Sequence, residues 1–285
     1  MLRKLGKSCA FIGKVGDDLF GKLLKQAVSD AGICTDALML DKTTPTTLAF
    51  VQTAPTGDRD FSFYRNPGAD MMLTERELPL HMIEASRIFY FGSLSMTHMP
   101  AKQATERAVE AAKQQGIRIS FDPNLRPPLW DNLADAKAAI SWGLRQCDIL
   151  KIADDELRFL TGEEDQREGA AILHREYPDI QILNVTAGAD GSYSFYGEDR
   201  PVFVPACKLG GVIETTGAGD TFCACVLNFI LDHGIDSLSE KDREDMLRFS
   251  NAAAYLVTTR KGAIRTMPER TEIHRILERK SSRPK

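Results

Sequence analysis

The chain has 285 residues, 43% of them apolar, and a formal net charge of −4. That length suits one large domain or two small ones around a packed core. The balanced charge excludes a nucleic-acid or membrane-surface protein. No apolar run is long enough to span a bilayer and the N-terminus lacks a signal-peptide pattern, so a cytoplasmic protein is expected. The six cysteines (Cys9, Cys34, Cys147, Cys207, Cys223, Cys225) form no C-x-x-C pair, and the five histidines are dispersed. Reduced thiols are the expected reading, and a His/Cys metal site is not.

Met1 to Gly6 reads as the end of a helix closed by a C-cap glycine. A chain that opens on such a stub is expected to lack a preceding segment. Cys9 to Gly13 is predicted as a strand and Asp17 to Gly32 as a helix, with Leu19, Phe20, Leu23, Leu24, Ala27 and Val28 on its apolar face. Thr47 to Thr53 and Phe61 to Tyr64 read as a hairpin around Pro55-Thr-Gly57-Asp58, apart from the main repeat. From Arg87 onward strands and helices alternate. Strands are predicted at 87–91, 117–121, 148–152, 180–186 and 192–196, and helices at 100–115, 131–146, 154–160 and 168–176. A further helix runs to His233, and two more cover 241–259 and 271–278. This rhythm implies an α/β fold with a mainly parallel sheet covered on both faces. Ligands in such sheets sit at the carboxyl ends of strands.

Several polar groups fall at those ends. Asp122-Pro-Asn124-Leu-Arg126 presents a carboxylate, an amide and a guanidinium together, which suits phosphate or sugar contacts, although turn chemistry also explains it. Asp154-Asp155-Glu156 caps a helix start, or Glu156 organises Mg²⁺, which favours a few carboxylates and waters beside phosphate oxygens. Thr186, Gly188 and Gly191 suit either a nucleotide loop or a hairpin turn. Asn251 and Gly262 bracket the end of the long helix, where Gly262 reads as a C-cap by default.

The densest signal is Glu214-Thr-Thr-Gly217-Ala218-Gly219-Asp220, a polar loop turning directly into an apolar helix. Gly217 and Gly219 let backbone approach a ligand closely, and the helix start offers unpaired N–H groups to a phosphate. Asp220, in the first turn, is placed to take a proton from a neighbouring hydroxyl. A plain helix N-terminus with a favourable Asp is the bland alternative. The motif lacks the Gly-Lys-Ser/Thr of a P-loop and the third glycine of a dinucleotide fingerprint.

This stretch resembles the Asp-Thr-x-Gly-Ala-Gly-Asp motif of ribokinase-like (phosphofructokinase-B-type) carbohydrate kinases. Ala10 to Gly21 (AFIGKVGDDLFG), Tyr64 to Leu73 (YRNPGADMML), Phe121 to Arg126 (FDPNLR) and Leu157 to Gly162 (LRFLTG) are similar to fructokinase segments of that family. Thr186 to Gly191 and Arg260 to Ile264 (RKGAI) are similar to its nucleotide-side loops. The resemblance implies a ribokinase-like three-layer α/β sandwich, a single domain over residues 1–285 with a small β lid around 45–70. It implies ATP-dependent phosphorylation of a sugar's primary hydroxyl, foremost the 6-hydroxyl of fructose.

On this reading Asp220 is the general base, and the N–H groups of Gly217, Ala218 and Gly219 form the anion hole. Glu156 serves Mg²⁺, while Thr186, Gly188, Gly191, Asn251 and Gly262 lie along the nucleotide. Arg65, Asn124 and Arg126 are sugar-side candidates. Partners are a sugar and ATP, with pairing of two copies through the lid. The chain departs from the family in three ways. Glu214 replaces an Asp tied to a monovalent-cation (K⁺) site, Ala153 replaces the Asn of Asn-x-x-Glu, and the family's opening Gly-Gly-x-x-x-Asn segment is missing. Other sugars of the family (2-keto-3-deoxygluconate, ribose) and a catalytically silent nucleotide-binding relative are the alternatives.

Overall fold

The computed structural model describes residues 1–53, 59–197 and 199–281. Contacts divide the chain into two compact units. One comprises Cys9–Ile119 and Leu125–Gly143; the other comprises Met1–Ser8, Ser120–Asn124 and everything from Leu144 onward.

In the first unit β1 (Gly13–Gly16) pairs in parallel with β2 (Leu38–Asp41), and α1 (Leu19–Asp30) connects them. The strand expected at Cys9 to Gly13 therefore begins where that expectation ends, and Ala10 makes only an isolated bridge to Cys34. The expected apolar face of α1 is also turned the other way. Leu19, Phe20, Leu23 and Leu24 are all exposed, and Gly21 is the buried residue of the helix. The helix docks through that glycine, because a Cβ there would stand 1.9 Å from the Gly16 carbonyl oxygen. Periodicity identifies a stripe without saying what covers it.

β3 (Leu48–Thr53) and β4 (Arg59–Tyr64) form an antiparallel pair where the lid is expected, and the turn Pro55-Thr-Gly57-Asp58 lies outside the described residues. The unit continues with α2 (Leu80–Glu84), β5 (Ile88–Gly92), α3 (Ala101–Gln114) and α4 (Leu133–Leu144). In α3 the alanines at 101, 104, 108, 111 and 112 make the buried face. Gly116, at φ 68°, follows that helix and leads the chain into the next strand.

The other unit is built on β6 (Arg118–Asp122, entering at Ser120), β7 (Ile149–Ala153), β8 (Ile182–Ala187), β9 (Gly191–Tyr196) and β10 (Val202–Pro205). Here the strand order is β10-β9-β8-β7-β6; β6, β7 and β8 run parallel, and β9 and β10 form an antiparallel margin. β10 is absent from the sequence reading, since four residues ending in proline suit only a sheet margin. The helices are α5 (Asp154–Thr161), α6 (Gln166–Glu176), α7 (Ala218–His233), α8 (Glu240–Thr258) and α9 (Arg270–Ser281).

α7 is apolar on most of its circumference, with Phe222, Val226, Leu227 and Ile230 buried. Each such side chain is worth about 1.5–3 kcal/mol on full burial. Leu5, Cys207, Cys225, Ala252, Ala253, Ile273 and Ile276 close a further core, which ties the opening turn (Leu2–Leu5, capped by Gly6) to α8 and α9. The cysteines are free thiols, and burial pushes Cys225 up to about 12. No helix of the described residues is long and apolar enough to cross a membrane.

Candidate active site

The start of α7 gathers the main candidate groups. Gly217 sits at φ 80°, a left-handed conformation that side chains resist. A Cβ on it would also meet the Ala263 Cβ at 3.2 Å. The helix has no side-chain cap. Ala218 donates its N–H to the Thr215 carbonyl at 3.2 Å, and Thr221 donates to the Gly217 carbonyl at 2.9 Å. Among the described residues the N–H groups of Gly217, Gly219 and Asp220 have no protein acceptor. Such an open helix start attracts an anion. Asp220 is exposed in the first turn beside these donors.

The loop is held from outside. Ile213 and Glu214 donate their N–H groups to the Thr258 carbonyl at the end of α8, at 2.8 and 3.1 Å. The Glu214 carboxylate accepts the Gly262 N–H at 3.2 Å. Gly262 is therefore not the cap of α8, which ends at Thr258 with Thr259 as its cap. It lies beyond the helix in the loop that packs on Gly217, and Glu214 has the reach to hold it.

Beneath the helix start lies a charged pair. The Lys151 ammonium donates to Asp122 at 3.2 Å, and both side chains are almost fully buried. A Cβ on Gly219 would stand 3.3 Å from the Lys151 nitrogen, so the ammonium flanks the glycine loop. Burial raises Asp122 to about 6; Lys151 opposes that rise, and the Glu156 and Asp220 carboxylates add to it. Burial pulls Lys151 down, but Asp122 and Glu156 outweigh it and the amine stays above its ordinary value. Glu156 is buried and accepts the Ala153 N–H at 2.9 Å across the first turn of α5.

No three His, Cys, Asp or Glu residues converge into a metal cage among the described residues. The residues present still fit Mg²⁺, which is commonly bound through one or two carboxylates plus phosphate oxygens and water. Asp122, Glu156 and Asp220 outnumber Lys151 by three charges to one, which a divalent cation would offset.

The other sequence candidates are placed differently. Thr186 is the penultimate residue of β8, and its hydroxyl donates to the Ile152 carbonyl at 3.5 Å. Gly188 is exposed in the β8–β9 turn at φ 49°. Gly191 opens β9, and a Cβ there would lie 2.2 Å from the Val204 carbonyl oxygen. Asn251 points inward, accepting from Ser192 and donating to the Val204 carbonyl, each at 3.0 Å. Both residues thus lock β9, β10 and α8 together. Asn124 takes a left-handed φ of 47° after β6.

In the first unit, Arg126 donates to the Leu125 carbonyl at 2.9 Å. Arg65 spends its guanidinium on Asp70 (2.7 Å), Thr97 (2.9 Å) and the Leu94 carbonyl (3.1 Å). Lys151 is the residue the sequence reading passed over. Its signal was a lone cation inside the apolar run Ile149-Leu-Lys-Ile152, since lysine is almost never fully buried without a partner.

An open helix start, a first-turn carboxylate and a mainly parallel α/β sheet define a phosphate-handling enzyme, and the comparisons name its class. The pattern described as pfkB family carbohydrate kinase matches residues 1–270. The chain is 38% identical over 275 residues to fructokinase-1 of Oryza sativa subsp. japonica, spanning 96% of this chain and 84% of that protein. It is 40% identical over 268 residues to fructokinase-2 of the same plant, spanning 94% and 79%.

Among solved structures, the ATP-bound fructokinase of Xylella fastidiosa superposes with a TM-score of 0.89 at 29% identity, over 99% of this chain and 88% of that one. The fructokinase of Vibrio cholerae O395 with fructose, ADP and calcium bound gives 0.86 at 27%, over 97% and 87%. The chain belongs to the pfkB family of carbohydrate kinases, with the ribokinase-like fold.

Proposed function

We propose that this carbohydrate kinase transfers the γ-phosphoryl group of ATP to the 6-hydroxyl of fructose. The observation that carries the chemistry is the open start of α7, with unpartnered N–H groups at Gly217, Gly219 and Asp220 beside the exposed Asp220 carboxylate. The choice of fructose is supported by the fructokinase relatives and by the fructose- and ADP-bound structural neighbour.

In this reading Asp220 takes the proton of the sugar hydroxyl as its oxygen attacks the γ-phosphorus. The bond to the β-phosphate oxygen breaks, and ADP leaves. The helix-start N–H groups stabilise charge on the transferring phosphoryl oxygens, an effect aimed at the transition state. Glu156 would hold Mg²⁺ together with phosphate oxygens, and the ion would neutralise charge between the β- and γ-phosphates. Gly262 and Ala263, packed against Gly217, border the nucleotide side, with Thr186 and Gly188 at the neighbouring strand end. Asn251 and Gly191 support that side from behind. Asn124, Arg126 and Arg65 are assigned to the sugar side, Arg65 through the Asp70 carboxylate it grips.

The test is an ADP-release assay over fructose, ribose and 2-keto-3-deoxygluconate with ATP and Mg²⁺. Fructose is expected to give the highest kcat/KM, with fructose 6-phosphate as product. A higher kcat/KM for either other sugar would reassign the substrate, and no turnover of any would reject the reading.

A further inference from the structure

The pairing of strands puts four polar residues in one row across the sheet. Lys151 stands opposite Asn184, and Asn184 stands opposite Ser194. The β6–β7 register, Ser120 to Ile149 and Phe121 to Leu150, brings Asp122 opposite Lys151 at the next step, where the two bond. All four side chains are buried. Neither the Asn184 amide nor the Ser194 hydroxyl has a hydrogen-bond partner among the described residues.

A charged and polar row is an expensive occupant of a sheet interior, where apolar residues would pack at no desolvation cost. Its charged end lies under the first turn of α7, and the Lys151 ammonium occupies the space that a side chain at position 219 would need. Asp122 and Glu156 both act on this one cation, Asp220 adds its charge at Asp122, and an incoming polyphosphate would add further negative charge. Without Lys151, repulsion would oppose anion binding at the loop; at short range in a water-poor site such terms are large.

We infer that Lys151 is a positioning residue for phosphoryl transfer: anchored by Asp122, it supplies a fixed positive charge against Gly219 that lets the helix start hold the terminal phosphate of the nucleotide. The inference rests on the kinase reading for its effect on turnover, but not for its effect on nucleotide binding. The elevated pKa of the amine is consistent with a charge that persists through the working pH range.

The experiment compares wild type, Lys151→Met and the double variant Lys151→Met/Asp122→Asn. The double variant removes both buried charges and so avoids stranding one of them. Calorimetric titration with ATP and, separately, with adenosine is run beside sugar turnover and thermal unfolding. The expected result for the folded double variant is ATP affinity about tenfold weaker, adenosine affinity unchanged, kcat about 10²-fold lower and sugar KM unchanged, on the scale of losing one electrostatic donor.

A double variant with wild-type ATP affinity and kcat would overturn the inference and leave Lys151 as a structural partner of Asp122. Equal weakening toward ATP and adenosine would overturn it too, since a distorted pocket loses both. If wild type binds ATP but phosphorylates no sugar, the substrate reading fails, and the ATP-to-adenosine ratio across the variants still decides the role of Lys151.

Discussion

Two helices in this chain each have a glycine and an aspartate at their start, and they are finished in opposite ways. α1 begins within Gly16-Asp-Asp18-Leu-Phe-Gly21, and α7 begins within Gly217-Ala-Gly219-Asp220-Thr-Phe222. At α1, Asp18 is the N-cap and its carboxylate accepts the Gly21 N–H at 2.8 Å and both the N–H and hydroxyl of Thr46 at 2.8 Å. Those bonds, the Thr46 N–H first, hold Asp18 below the ordinary carboxylate range. At α7 the carboxylate falls three residues later than the cap, where it reaches none of the helix-start donors. A shift of three positions leaves the start of α7 with unpartnered N–H groups, among the described residues, beside an exposed carboxylate, where α1 has a satisfied helix end.

Four measurements sharpen or break that contrast. The largest effect is expected from Asp220→Asn, which should lower kcat by about 10²-fold or more, the usual scale for losing a general base. Its unfolding temperature should stay near wild type, because the side chain is exposed and caps nothing. Gly217→Ala comes next. It must hold a left-handed φ at a cost of about 1–2 kcal/mol and press on Ala263, so lowered stability and roughly a tenfold loss of kcat/KM are expected from unfolding and turnover assays.

Glu214→Ala releases the Gly262 N–H, and KM for ATP should rise about fivefold with kcat little changed, the scale of one hydrogen bond. The smallest effect on turnover is expected from Asp18→Ala, which should leave kcat unchanged and lower the unfolding temperature. Because the folded-state pKa of Asp18 is depressed, its contribution is full above the unfolded value of about 3.9. It fades as pH falls through the lower folded value. The wild-type and Asp18→Ala unfolding temperatures should therefore converge in acid. If Asp220→Asn lost stability as Asp18→Ala does, the two helix starts would be equivalent after all.

Much of the architecture was legible in the chain. The strand–helix rhythm from residue 87 onward matches β5 to β9 and α3 to α9 within a few residues at each end. Local signals suffice there: apolar strands bounded by glycines, and helices with capping residues such as Asp165 and Ser239. β2, β10 and α2 are too short to carry a period. The docking face of α1 was misread because Gly21, which contributes no hydrophobicity, makes the close contact.

The loop from Glu214 to Asp220 offers its candidate chemistry by composition, with a plain helix N-terminus as the alternative. Two glycines and an acid entering an apolar helix are enough to suggest an open helix start, since backbone conformation and donor supply are set within a few residues. What surrounds that loop is decided by tertiary structure. Asn251 and Gly191 are read equally well as nucleotide contacts or as packing until the Val204 carbonyl is seen against both. The Lys151–Asp122 pair spans 29 positions and two strands, and neither residue names its partner locally. Parallel strands are joined through intervening helices, so side chains in one row of the sheet are distant in sequence, and only the register brings that charge under Gly219.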